Sequence, residues 1–194
     1  MAKNKPFITN PGIAYWPNLQ KPDTKYDNKY KTGLLLHADD SKDLREAIHS
    51  AFVEKFGESK LKNAKLSFEK ASEKDDKAKK TIQSLIDKTK DNKLENYYIF
   101  KFQTQHKPSL WDCSKPAQEI KEEMNLRSGS IIQVQTSLNP YSYGNSIGVT
   151  CYFSMVRVID PVTGSTSPFQ DEVEGFVYQN DNAPSLDVAA NGDF

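Results

Sequence analysis

Two tyrosines, Tyr141 and Tyr143, lie two residues apart in a segment rich in turn-forming residues, NPYSYGNSIG (139–148). Alternate residues of an extended segment share a side, so this spacing predicts two flat rings that project together. Exposed rings can stack on unpaired bases, which contributes about 1–3 kcal/mol per base. Lysines on or near predicted strands would bind the phosphates: Lys29, Lys31, Lys101 and Lys107. These residues predict binding of single-stranded nucleic acid, with little base preference and a steep dependence on salt.

Side chains that commonly perform catalysis lack suitable partners in this sequence. The three histidines, His37, His49 and His106, show none of the spacings that bind metals. No glycine-rich phosphate loop, nucleophile elbow or HExxH motif occurs. We therefore expect neither enzyme activity nor a cofactor.

The charges of the 194-residue chain are unevenly distributed, although their formal sum is zero. All 26 lysines and arginines lie at or before Arg157, whereas only 19 of the 26 acidic residues do, so residues 1–157 carry a net charge of +7. Residues 158–194 contain the other seven acids and no basic residue. We expect residues 165–194 to form a flexible acidic tail. Such a tail, ending in Phe194, would compete with nucleic acid for a basic groove, bind another protein, or simply aid solubility.

Two cysteines, Cys113 and Cys151, form neither a disulfide framework nor a C-x-x-C motif. Cys151 falls on the apolar side of a predicted strand, so we expect a buried thiol. No apolar run approaches the ~18 residues needed to cross a bilayer, and the first residues lack the apolar segment of a signal peptide. These features predict a protein of the reducing cytoplasm with no membrane partner.

The most regular pattern in the chain spans residues 128–159. Apolar and polar residues alternate in two arms, which predicts two strands joined by a ten-residue loop at 139–148. Other elements are predicted from apolar and β-prone runs or from helical spacing: strands at 29–37, 97–103 and 110–113, a helix at 42–56 capped by Asp40 or Ser41 and ended by Gly57, and helical turns within 115–127.

Two further segments are less regular. Four prolines within residues 1–26 exclude a helix and predict an extended arm. Its rings either pack the arm onto the body of the protein or, with nearby lysines, contact a ligand: Phe7, Tyr15, Trp16 and Tyr26. Residues 58–96 are lysine-rich with interleaved acids, and we interpret them as a solvated excursion with a short helix near Ile82 and Ile86.

These elements predict a mainly β fold: a five-stranded OB-fold-like β-barrel with a capping α-helix, followed by a disordered acidic C-terminal tail. The barrel domain would span residues 1–164, with the charged excursion at 58–96, and the tail residues 165–194. A β-sandwich is the main alternative.

Several short sequences, taken in order, resemble the single-stranded DNA-binding proteins of T-seven-type podophages. The resemblance covers nearly all 194 residues and rests on these landmarks: Met1-Ala2-Lys3, Gly12 and Ala14, Lys21-Pro22-Asp23, Tyr30-Lys31, Phe100-Lys101-Phe102, Ser130-Ile131, Ser137-Leu138, Pro140-Tyr141, Gly148-Val149 and Gly192-Asp193-Phe194. Gln103 stands where the family has a second lysine, and Tyr143 where it has a tryptophan.

The resemblance implies an OB-fold protein of phage DNA replication, recombination and repair, commonly a homodimer in the host bacterial cytoplasm. It implies that Tyr141, Lys3 and the surroundings of Lys29 and Lys31 contact single-stranded DNA. It also implies that the tail, with Asp187, Asp193 and a terminal Phe194, recruits the phage DNA polymerase and the helicase-primase.

Two other classes of function remain open from the residues alone. A basic barrel would also serve as a protein-interaction or scaffold module that binds acidic partners. An OB domain that binds oligosaccharides would use Trp16, Trp111 and the tyrosines to stack on sugars.

Overall fold

The computed structural model describes residues 6–25 and 27–163. The predicted tail at 165–194 and Lys3 lie outside the described residues. Within them the chain forms nine strands and two α-helices: β1 (Phe7–Ile8), β2 (Gly12–Asp23), β3 (Lys29–His37), α1 (Lys42–Phe56), β4 (Ala64–Lys65), β5 (Phe68–Lys70), α2 (Asp76–Ile86), β6 (Tyr97–Thr104), β7 (Ser109–Trp111), β8 (Ile131–Tyr143) and β9 (Ser146–Asp160).

Five of these strands close into a ring in the order β2, β3, β6, β9, β8 and back to β2. All neighbours in the ring are antiparallel except β6 and β9, which run parallel. A five-stranded closed ring of this kind is the OB-type barrel, so the predicted fold class is confirmed. The short strands β1, β4, β5 and β7 pair with the ring strands β8, β9 and β6 from outside the ring.

The barrel interior is built from the alternating apolar residues of its strands. Phe100 and Phe102 of β6 meet Phe153 of β9 in a core without solvent exposure. Helix α1 closes this core with the residues that recur at helical spacing, Leu44, Ile48 and Phe52. The capping helix therefore has the predicted bounds and the predicted role.

The two cysteines have different surroundings. Cys151 lies in the barrel core, and burial raises the pKa of its thiol to about 12. Cys113 is exposed, and its Sγ lies 3.4 Å from the carbonyl oxygen of Val158. The predicted buried thiol at Cys151 is thus confirmed.

The interpretation of residues 12–23 as part of an extended arm is wrong, because these residues form β2, a strand of the barrel itself. The prolines are accommodated at irregularities in the pairing with β3. The register shifts between Tyr15 and Asn18 and again between Asn18 and Asp23, and Pro17 and Pro22 fall inside these two intervals. A proline in a strand is tolerated at such irregular positions because no ladder hydrogen bond is required there.

Residues 58–96 are also more structured than the interpretation as a solvated excursion implies. Strand β4 pairs with β9, and β5 pairs with β6. Helix α2 begins after Asp75, whose carboxylate accepts a hydrogen bond from the Ala78 amide at 2.9 Å. The helix buries Ile82 and Ile86 in a second apolar cluster, as predicted for a short helix.

Two further predictions need correction. The loop at 139–148 is only a two-residue turn, Gly144 and Asn145, because β8 continues to Tyr143 and β9 begins at Ser146. Gly144 has a φ of 55°, which a glycine adopts without strain. The helical turns expected within 115–127 do not form, since this segment consists of bends and two isolated bridges, Trp111 to Glu119 and Leu126 to Thr163.

Neither α-helix in the described part of the chain is both long and apolar enough to span a membrane. No group of three potential metal-binding side chains is found among residues 6–25 and 27–163.

Candidate nucleic-acid interface

One face of the barrel carries a groove with a volume of about 490 Å³. Residues of β2, β3 and β6, the β8–β9 hairpin and the segment 65–74 form its lining. We call it the groove, and its lining residues are Tyr15, Trp16, Asn18, Asp23, Lys31, Thr32, Gly33, Lys65, Leu66, Ser67, Lys74, Ile99, Lys101, Phe102, Gln103, Tyr141, Val149 and Thr150.

The two predicted stacking tyrosines are placed differently by the hairpin. Tyr141 lines the groove and is half-buried, whereas Tyr143 is 84% exposed beside the turn and does not line the groove. Tyr141 pairs across the hairpin with Gly148, and its hydroxyl would lie 2.9 Å from a Cβ atom at that position. The missing side chain at Gly148 therefore leaves space for the Tyr141 ring. Neither tyrosine belongs to the apolar core.

Gly148 also positions one lysine of the groove. Strand β4 runs parallel to β9 and pairs Lys65 with Gly148. A Cβ atom on Gly148 would lie only 2.1 Å from the Lys65 carbonyl oxygen, so this close approach requires glycine. The Lys65 side chain is exposed and forms no ion pair with a carboxylate of the described residues. Lys65 is therefore available to bind an anion.

Two other lysines of the groove share one carboxylate. The Nζ atoms of Lys101 and Lys74 lie 2.6 Å and 2.7 Å from Oε1 of Glu69. Burial alone would raise the pKa of Glu69, but the two ammonium groups outweigh it and hold the pKa below its ordinary value. Glu69 thus stays ionised and keeps the two cations together at the surface.

Lys31 is held by acidic side chains in a similar way. Its Nζ lies 2.6 Å from Asp27 and 3.5 Å from Asp23, and Lys29 lies 3.4 Å from Asp27. The hydrogen bond between Lys31 and Asp27 raises the pKa of Lys31 and lowers that of Asp27. The side chains of these pairs are partly exposed, so solvent screens them and they fix orientation more than they stabilise the fold.

Trp16 is an aromatic residue of the groove for which the sequence analysis left two alternatives open, packing of the arm or contact with a ligand. It is 64% exposed and has a φ of 49°, and its backbone N–H donates to the Ser128 hydroxyl at 2.9 Å. The neighbouring Tyr15 ring packs edge-on against it, with centroids 6.1 Å apart. Tyr15 in turn lies against Gly33 of β3, where a Cβ atom would be 3.1 Å from the tyrosine. Pro17, which cannot donate a ladder hydrogen bond, is the sequence signal that could have indicated the register shift between Tyr15 and Asn18.

The structure brings together three of the predicted DNA-binding residues, Lys31, Lys101 and Tyr141. Lys29, Lys107 and Tyr143 do not line the groove. The remaining predicted residues, Lys3, Asp187, Asp193 and Phe194, lie outside the described part of the chain. Sequence reasoning missed Lys65 and Lys74 because it treated their segment as solvated.

The lining residues give the groove an excess of positive charge. They include four lysines and one aspartate, with Glu69 beside two of the lysines. Carboxylates are paired with three of these lysines, Lys31, Lys74 and Lys101, so an incoming polyanion would have to displace them. Rings at Trp16 and Tyr141 offer flat apolar faces in the same groove. This combination suits a flexible, aromatic polyanion.

Solved structures that match this architecture include those of two phage proteins. The crystal structure of gp2.5, a single-stranded DNA-binding protein encoded by bacteriophage T7, matches with a TM-score of 0.61 and 16% identity, covering 91% of this chain and 100% of that one. The chain shares the fold of phage single-stranded DNA-binding proteins. A second protein of this fold, from bacteriophage Enc34 and solved in complex with single-stranded DNA, matches with a TM-score of 0.59 and 12% identity, over 82% of this chain and 89% of that one.

No protein-family model matches the chain, and no curated protein matches it by sequence.

Proposed function

We propose that the chain binds single-stranded DNA in the groove without sequence preference. The observation that carries this proposal is the placement of Tyr141 and four lysines in one groove of an OB barrel. Phosphates would bind the lysines in exchange for carboxylates, and bases would stack on the exposed rings. The Enc34 protein, which was solved with single-stranded DNA, has the same fold and supports this choice of ligand.

The wider role that we propose follows the sequence resemblance. The protein would coat and protect single strands during phage DNA replication, recombination and repair, in the host bacterial cytoplasm and as a homodimer. Its tail, with Asp187, Asp193 and Phe194, would recruit the phage DNA polymerase and the helicase-primase. No enzyme activity is part of this proposal.

Fluorescence anisotropy with labelled oligo-dT and a matched duplex, across a series of salt concentrations, tests the binding. We expect tight binding to the single strand, weaker binding to the duplex and a steep loss of affinity with salt. Equal affinity for an acidic peptide would favour a protein-interaction module, and binding insensitive to salt would favour a neutral ligand such as a sugar. Either result would reject the proposal.

The position of the site is tested by substitutions that each remove the charge of one lysine, either inside or outside the groove. Lys101→Gln, inside the groove, should weaken binding and lower the slope of log Kd against log salt by about 1. Lys80→Gln on α2 removes the same charge outside the groove and is the matched control. Lys107→Gln decides whether the predicted contact at Lys107 exists. Equal effects of the Lys101 and Lys80 substitutions would show that net charge alone, and not the groove, determines affinity.

A further inference from the structure

The conformation of Trp16 is unusual for a residue with a large side chain. A positive φ is rare outside glycine and persists only where the surrounding structure fixes it. Here the register shift in β2 and the hydrogen bond to Ser128 fix the backbone. The result is a tryptophan that is 64% exposed on a barrel strand, although burial of its ring would stabilise the fold.

Trp16 also separates two cavities. One is the groove, and the other is a neighbouring cavity of about 420 Å³ that is lined by Pro17, Leu126, Arg127 and Ser128 as well. Trp16 and Asn18 line both cavities. The tryptophan therefore stands at the boundary between them.

The lining of the second cavity includes a positively charged side chain, that of Arg127. Arg127 is exposed, and no carboxylate of the described residues forms an ion pair with it. This distinguishes Arg127 from Lys31 and Lys101, which are bound to acidic side chains in the groove. Among residues 6–25 and 27–163, no carboxylate would have to be displaced by a phosphate that reaches Arg127. Guanidinium groups also bind phosphate in a bidentate manner.

We propose that Trp16 is a base-stacking residue and that the single strand continues past it into the second cavity, where Arg127 binds phosphate. This proposal rests on the proposed function and extends its site by one ring and one cation. The strand would run from Tyr141 through the groove, pass Trp16 and end at Arg127. Ser128 is a positioning residue, since it holds the backbone of Trp16 and need not contact DNA.

Tryptophan fluorescence tests the stacking directly, because the chain has only two tryptophans. Trp111 lines a different cavity, with Met155 and Arg157. In a Trp111→Phe variant, which retains Trp16, oligo-dT should quench the emission strongly. In Trp16→Phe, which retains Trp111, it should quench little. Quenching that persists in Trp16→Phe and is absent in Trp111→Phe would overturn the stacking role.

Affinity measurements test the same role independently. Loss of one stacked base predicts a dissociation constant about 5- to 150-fold higher for Trp16→Ala. Trp16→Phe keeps a ring and should therefore retain most of the wild-type affinity. If Trp16 had only a structural role, the Phe and Ala variants would bind equally well whenever both were folded. Unchanged affinity of Trp16→Ala, in a protein whose circular dichroism matches the wild type, would also overturn the proposal.

The proposed path of the DNA strand to Arg127 is tested by comparing the binding of short and long oligonucleotides. OB folds bind about 4–16 nucleotides, so oligo-dT of about 4 and about 16 nucleotides spans the range. Arg127→Gln should weaken binding of the long strand and leave the short one unaffected, while Lys80→Gln changes neither. Equal loss for both lengths, or no loss for the long strand, would reject the path. Failure of the wild-type protein to bind any single strand would instead reject the proposed function.

Discussion

Tyr141 and Tyr143 show how two residues of one strand can differ in role. They are two residues apart, so their side chains leave β8 on the same side. The Tyr141 ring nevertheless lies beside Gly148 in the groove, whereas Tyr143 lies in solvent next to the turn. A half-buried ring has less rotational freedom to lose when a base stacks on it than a fully exposed ring has. Stacking on Tyr141 therefore costs less conformational entropy than stacking on a free side chain.

We expect Tyr141→Ala to weaken binding of oligo-dT by about 1–3 kcal/mol, the contribution of one stacked base. Tyr143→Ala should weaken it less, because Tyr143 does not line the groove. Titrations at one fixed salt concentration measure both. If the two substitutions had the reverse order of effect, the hairpin tip and not the groove would hold the bases.

Glu69 provides a second test at the level of one residue. The pKa of Glu69 is lower in the folded protein than its ordinary value of 4.5. Its pairs with Lys74 and Lys101 therefore stabilise the fold fully when the pH is above 4.5. This stabilisation is lost as the pH falls through the lower pKa of the folded state. Glu69→Gln should therefore lower the free energy of unfolding at about pH 7 but not in strong acid. Urea unfolding at the two pH values measures this difference.

The same substitution should tighten DNA binding, because it releases two lysines of the groove from a carboxylate. Glu95→Gln, an exposed acid outside the groove, is the control for the change in net charge. Weaker binding by Glu69→Gln would mean that the carboxylate is needed to position the lysines. It would then not act as a competitor of phosphate.

At the level of elements, the groove depends on the short strand β4. Gly148 allows β4 to approach β9, and Lys65 enters the groove as a result. Gly148→Ala should destabilise the fold by about 1–3 kcal/mol, as overpacking does, and should weaken DNA binding by displacing Lys65.

Gly144→Ala separates these two effects. It introduces a Cβ atom with no neighbour within 4 Å, but at a positive φ, so it should cost about 1 kcal/mol of stability without altering the groove. Measurements of thermal unfolding and of DNA affinity on both variants test the prediction. Loss of affinity in both variants alike would indicate that hairpin stability, and not the position of β4, controls binding.

The elements that sequence predicted well are those in which local pattern and packing agree. The alternating residues of β8 and β9, and the helical spacing in α1, follow directly from the faces that these elements bury. Strand β2 was missed because its prolines contradict the pattern and are accommodated only at register shifts with β3. Strands β4 and β5 were missed because their lysines and acids suggest solvent, while their pairing with β9 and β6 is a tertiary contact.

The same reasons explain what was predicted of the site. Lys31 and Lys101 lie on strands that the sequence identifies. Tyr141 lies in the predicted hairpin, although on strand β8 and not in the loop that the sequence suggested. Lys65, Lys74 and Trp16 belong to the segments that were misinterpreted. Their approach to the groove depends on the barrel closing, which no local pattern encodes.

At the level of the whole molecule, the charge asymmetry predicts competition between DNA and the tail. Residues 158–194 carry seven acids and no basic residue. Deleting residues 171–194 removes six of these acids and Phe194, so the truncated protein should bind DNA more tightly, most clearly at low salt where charges are least screened. It should also lose binding to the phage polymerase. Anisotropy titrations and a pull-down with that polymerase test the two expectations, and weaker DNA binding after truncation would contradict the first.

The unequal surroundings of the two cysteines make the native chain suitable for selective chemical labelling. Cys151 is enclosed by the barrel and its thiol resists ionisation, whereas Cys113 is accessible. A maleimide dye should therefore attach at one position without any mutation. Cys113 does not line the groove, so a fluorophore attached there should leave the binding surface intact. Single labelled molecules could then be tracked by fluorescence on DNA.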